Sequence, residues 1–151
     1  MTSDISLLLD ALDEAYDKAS WHGPNLRGAL RGVDAAQAAW QPQPQRHSIW
    51  ELTLHAAYWK YVVRRRITGE KRGSFPLKGS NFFPMPEPRS AAAWRDATLI
   101  LAEQHRALRA VVAGLTTTEH VRMIRGAAAH DVYHAGQIQL IKRLFKDRPD
   151  K

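Results

Sequence analysis

The chain contains no cysteine. That absence removes disulfides, iron–sulfur clusters, thiolate metal ligands and a cysteine nucleophile together. Any metal site must be built from histidine, aspartate or glutamate. Long apolar runs are missing too, and nothing approaches the ~18 consecutive apolar residues that span a bilayer. The opening stretch, MTSDISLLLDALDEAYDKAS, is acidic and helical in pattern, unlike a secretory signal. No targeting segment and no membrane association are expected. A cytoplasmic location is expected, which suits a cysteine-free chain.

Finger, RNP-like and Gly-rich phosphate motifs are also absent. This bears on the formal charge of +7, from 22 Lys+Arg against 15 Asp+Glu. Such a balance can signal an anionic partner. The basic residues are dispersed, however, and the densest groups are Arg64-Arg65-Arg66, Lys71-Arg72 and Lys142-Arg143. The reading is a solvated basic surface, with nucleic acid not expected as a partner.

What remains is an ordinary globular composition, 44% hydrophobic and 25% charged over 151 residues. One domain spanning residues 1–151 is expected. Residues 4–20 place Ile5, Leu8, Leu9, Leu12, Ala15 and Tyr16 at helical spacing. His22-Gly23-Pro24 breaks that pattern, and a short helix through Leu26 and Leu30 can follow. Ser48-Ile49-Trp50-Glu51 reads as a capping box opening a helix to Thr68, stopped by Gly69. Ser90 can cap a helix to Val112 or Ala113, with Gly114 as its stop. Thr116-Thr117-Thr118-Glu119 reads as a second capping box, opening a helix to Lys146 with Gly126 a candidate bend. No strand is predicted. The fold class is therefore all-α: a four-helix bundle with a long connection, residues 70–89, between helices two and three. That connection carries Phe75, Phe82, Phe83 and Met85, too apolar for a solvated linker. It is expected to fold over one end of the bundle.

Seven histidines carry the chemistry. His130 and His134 are four residues apart, so on a helix they share a face and can reach one metal ion. They fall on a stripe with Met123, Ala127, Gln137 and Ile141, which turns them inward. Buried imidazoles need hydrogen-bond partners or a metal. His55 shares a face with Leu52, Trp59 and Val62 and also points inward. Three such histidines leave an open coordination position, as catalytic metal sites do. Neutral imidazoles suit Zn, Ni, Cu or Fe; Zn or Ni leads as the expected divalent transition metal. The alternative is that all three are core histidines bonded to hydroxyls or carbonyls. His105 lies on a stripe with Trp94, Leu101, Leu108 and Val112, so it can serve as a fourth ligand, a group supporting the ligands or a satisfied core residue, the last two being favoured. Gln137 can orient a ligand, and so can Tyr133, about 60° away around the helix. His22, His47 and His120 read as loop or helix-end residues. Asp131 stands where H-E-x-x-H proteases carry glutamate, and its shorter reach argues against proteolysis.

The segment His130-Asp131-Val132-Tyr133-His134-Ala135-Gly136-Gln137-Ile138 resembles the last-helix signature of the DinB-like superfamily, which includes YfiT-type hydrolases. Ser48-Ile49-Trp50-Glu51-Leu52-Thr53-Leu54-His55 resembles its second-helix signature. Asn81-Phe82-Phe83-Pro84-Met85-Pro86, followed by Trp94, resembles its lead into helix three. The resemblance implies a four-helix bundle, a homodimer, and a metal held by His55, His130 and His134. Some relatives are transferases or isomerases that use a low-molecular-weight thiol cosubstrate such as mycothiol or bacillithiol. The expected function is thus a metal-dependent enzyme acting on a small-molecule substrate, as thiol-dependent transferase or hydrolase. The alternative is a non-enzymatic, stress-associated protein that binds metal or a small ligand.

Overall fold

Capping residues set most of the helix boundaries. The structure, a computed structural model, describes residues 3–149. Its helices are α1 (Ser3–Tyr16), α2 (Leu26–Ala29), α3 (Ala35–Ala39), α4 (Ile49–Thr68), α5 (Ala91–Ala113) and α6 (Val121–Asp147). No strand occurs among the described residues. Ser48 Oγ accepts from the Glu51 N–H at 3.2 Å while the Ser48 N–H donates to Glu51 Oε1 at 3.0 Å, a complete capping box. Gly69, at φ 74°, ends α4 in the left-handed region that glycine enters at little cost. Ser90 caps α5 through the Ala93 N–H.

Two boundaries differ from the sequence pattern. α1 stops at Tyr16 because the Asp17 and Lys18 N–H groups both turn to the Asp13 carbonyl, and Asn25 then holds the Lys18 carbonyl at 2.8 Å. α6 does not open at the Thr116–Glu119 box. The Val121 N–H instead donates to the Thr118 carbonyl at 3.1 Å, closing a tight turn, and His120 becomes the N-cap. A local turn has won over the side-chain cap. α6 then continues through Gly126 without interruption. The short α3, capped by Asp34, adds an element that the sequence pattern did not single out.

α1, α4, α5 and α6 form the bundle, each packed on two others: α4 on α5 and α6, α1 on the same pair. Contacts fix the directions. Trp50 meets Trp94 and Lys60 meets His105, so α4 and α5 run parallel. His55 meets His134 and Lys60 meets Asp131, so α4 and α6 run antiparallel. A parallel α4–α5 pair requires the chain to travel back along the bundle before α5 begins. The long connection does this rather than covering one end. It retraces α4 step by step: the Gly73 N–H donates to Tyr61 Oη, Phe75 packs on Tyr58, Asn81 meets His55, and Met85 meets Ser48. Phe83 is buried in the core with Trp50 and Trp94, which anchors the strap.

The apolar core falls into two clusters. One gathers Trp50, Leu54, Trp94, Leu101 and Ile138; the other gathers Ile5, Leu12, Val63, Leu108 and Ile124. Between them lies a polar layer of Lys60, Asp131 and His105, with the His105 ring stacked on Tyr16 at 3.8 Å. None of the three polar side chains reaches solvent to any extent.

Candidate metal centre

α4 and α6 bring His55, His130 and His134 together. His130 and His134 lie one turn apart on α6, and His55 faces them from α4. His130 Nε2 stands 3.1 Å from His55 Nε2 and 3.0 Å from His134 Nε2. One nitrogen from each ring lies within 4.8 Å of the others, so the group could hold a metal ion.

The tautomers follow from the outer partners. His55 Nδ1 lies 3.0 Å from the Asn81 carbonyl, which only accepts, so Nδ1 carries the proton. His134 Nδ1 donates in the same way to Gln137 Oε1 at 2.7 Å. Both rings are then left with bare Nε2 lone pairs, each about 3 Å from His130 Nε2. This is the usual arrangement of metal-bound histidine, with the far nitrogen donating to a carbonyl or carboxamide. At Zn–N distances of about 2.0–2.1 Å, tetrahedral ligand nitrogens stand about 3.3 Å apart. The observed 3.0 and 3.1 Å spacings need open only by tenths of an ångström. The donor set therefore fits a divalent transition metal.

Burial keeps these rings neutral. Desolvation lowers the His55 pKa to about 4 and the His130 pKa to about 3, with neighbouring imidazoles adding to both shifts. His134 is lowered for the same first reason. A histidine whose folded pKa lies below its unfolded value near 6.5 leaves the unfolded chain to bind protons first as pH falls. Its stabilising effect is complete above the unfolded pKa and is lost as pH falls toward the folded one. For metal-free protein, urea titrations are expected to show stability falling from pH 6.5 toward pH 4. The loss should be on the order of 1 kcal/mol per histidine per pH unit. A flat profile between pH 7 and 5 would contradict the neutral triad.

The walls of the site join the strap to α4 and the loop before it. Phe82 stacks on the His55 ring at 4.1 Å, and His47 stacks on Phe82 at 3.8 Å. Trp59 donates its indole N–H to Asn81 Oδ1 at 2.9 Å. Asn81 thus serves two groups, and it sits at φ 66°, a left-handed conformation that asparagine tolerates better than most residues. The sequence assigned neither His47 nor Asn81 a role at this site, although Asn81 opens the Asn81–Pro86 segment. The first lies in a loop, and the second acts on His55 through its backbone carbonyl, which no side-chain pattern reveals.

The remaining candidates separate. Gln137 contacts His134 directly. Tyr133 is 64% exposed, with its ring edge-on to His134 at 5.1 Å. His105 does not touch the triad; its Nδ1 faces Lys60 Nζ at 3.1 Å. An ammonium only donates, so His105 Nδ1 accepts and the proton sits on Nε2. That geometry also disposes of a second group, Asp13, Asp17 and His105, whose ligand atoms are similarly close. Its imidazole offers a proton rather than a lone pair, and Asp13 is already held by both Nε and Nη2 of Arg109. Asp131, beside His130 in sequence, turns into the core and pairs with Lys60. A separate concavity of about 1470 Å³ lies between α1, α2 and α5 and touches none of the three triad histidines.

No described helix is long and apolar enough to cross a membrane. No curated protein and no solved structure matches the chain. The family model described as DinB superfamily matches residues 18–138, a span that contains all three histidines.

Proposed function

The chain belongs to the DinB superfamily, and from that premise we propose that it is a metal-dependent enzyme whose His55, His130 and His134 hold one Zn or Ni ion. The observation that carries this reading is the pair of bare Nε2 nitrogens, fixed by Asn81 and Gln137, within 3.1 Å of His130 Nε2. When bound, such a metal supplies Lewis acidity and lowers the pKa of a nucleophile that it coordinates, either water or a low-molecular-weight thiol.

Transferase chemistry with a thiol cosubstrate is the reaction class we favour over hydrolysis. Hydrolysis gains from a general base near the attacking water. The acid closest in sequence to the α6 ligands, Asp131, is fully buried and paired with Lys60. A thiol loses its proton readily on metal binding and needs less help. The protein's part is then to hold three ligands, leave one side open, and orient the rings through Asn81 and Gln137. The exposed Tyr133, Leu140 and Leu144 on α6 support a homodimer, and sedimentation should then give twice 17.1 kDa. A cytoplasmic site of action fits the cysteine-free chain and the use of small thiols.

The test is a turnover screen of Zn- and Ni-loaded protein with several low-molecular-weight thiols and electrophilic small molecules. Thiol consumption that stops when the metal is chelated supports the proposal. Tight metal binding with no turnover across the panel favours the alternative, a stress-associated metal or ligand carrier.

A further inference from the structure

A groove of about 410 Å³ opens beside His130 and runs between α4 and α6. Its volume lies in the range of small-molecule sites. Because the two helices are antiparallel, residues after His55 on α4 face residues before His130 on α6. Trp59 and Ala127 stand nearest His130, with Val63 and Met123 further along, and all four are apolar. At the far end stand Arg66 and Arg122. Neither arginine has an ion-pair or hydrogen-bond partner among the described residues. Glu119 and His120 also line this end, so its balance is cationic but not uniformly so. His130 and Arg122 are eight residues apart, about 12 Å at 1.5 Å per helical residue.

Gly126 forms part of the floor. A Cβ built there would meet no atom within 4 Å, although glycine inside a helix is less favourable than alanine. No packing within the chain requires that missing side chain. The open space above it belongs to the groove.

We propose that this groove binds an elongated organic acid, with its apolar body between Trp59, Val63 and Met123 and its oxyanion head at Arg66 and Arg122. The opposite end of the molecule then meets His130 and the metal. Guanidinium groups pair with carboxylate and phosphate in the same two-point manner, so the shared chemistry is an oxyanion on an apolar chain. The assignment of this molecule as the substrate rests on the metal-enzyme reading, but its binding does not.

The experiment is calorimetric titration of the whole protein with octanoate, octyl phosphate and the neutral octanamide, before and after metal removal by chelation. Metal content is measured separately by elemental analysis. At least one acid is expected to bind about tenfold tighter than the amide, in both metal states, and the tighter acid identifies the head group. In Arg66→Gln/Arg122→Gln, the acid should fall to the level of the amide. Both arginines are exposed, so the fold should survive. Gly126→Leu should block all three probes while leaving metal content unchanged. Equal affinity for acid and amide, or unchanged acid binding in either variant, would overturn the groove. Absence of metal with intact, arginine-dependent acid binding would overturn the metal reading alone.

Discussion

His130→Ala and His134→Ala should each lose bound metal while keeping the helical bundle. In the proposed site each change removes one of three nitrogen ligands and leaves two, from which a divalent ion would exchange readily into solvent. A loss in affinity of about a hundredfold or more is expected, above the ~10- to 100-fold typical of losing an outer hydrogen-bond partner. Gln137→Ala supplies that milder comparison, because it frees the His134 ring without removing a ligand. Competition against a coloured chelator measures all three, and elemental analysis of gently purified protein gives stoichiometry. Full occupancy in both histidine variants would remove the site from His130 and His134. The fold should tolerate these changes, since neither ring supports the apolar clusters and His130 is only half-buried.

Lys60→Met should be the most destabilising single change outside the apolar core. It leaves the Asp131 carboxylate fully buried with no cation, and its Oδ1 already lacks a partner. Breaking one side of a buried ion pair costs about 3–5 kcal/mol. Burial pushes the Asp131 pKa up against the opposing pull of Lys60. Without the lysine the carboxyl can escape part of the cost by taking a proton. The sign follows: an acid with a raised folded pKa stabilises the fold at low pH and loses that effect as pH rises. The penalty in Lys60→Met should therefore grow from pH 5 to pH 8. Lys60→Met/Asp131→Leu removes both charges and should recover most of the stability, as apolar replacements of buried pairs often do. Urea unfolding of the single and double variants measures the coupling. A Lys60→Met cost below about 1 kcal/mol at pH 7 would contradict a buried, paired lysine.

The sequence revealed what is local or periodic. The Ser48–Glu51 box, the Gly69 stop and the inward turn of the three histidines all depend on residues within a few positions of one another. It did not reveal what depends on helix direction. Nothing in the sequence spacing shows that α4 and α5 run parallel, and so residues 70–89 read as an end cover instead of a return strap. The same limit hid the partner of His105. Periodicity placed that ring inward, but Lys60 comes from another helix 45 positions away. A lysine on a helix usually extends its charge to water; here the carboxylate of Asp131, 71 positions on, keeps it inside. The Thr116–Glu119 box shows the converse. The local signature there yielded to a turn, and α6 opens at Val121, with His120 as its N-cap.

Asn81 ties these levels together. Its carbonyl fixes the proton of the His55 ring, and its side chain fixes the indole that stands at the head of the groove. Coupling of this kind is reciprocal: whatever free energy the seated strap adds to metal affinity, the metal returns to the seating of the strap. Residues 70–89 should therefore report occupancy of the proposed site. Their amide hydrogens should exchange more slowly in the loaded protein by the same factor by which an unseated strap weakens the metal.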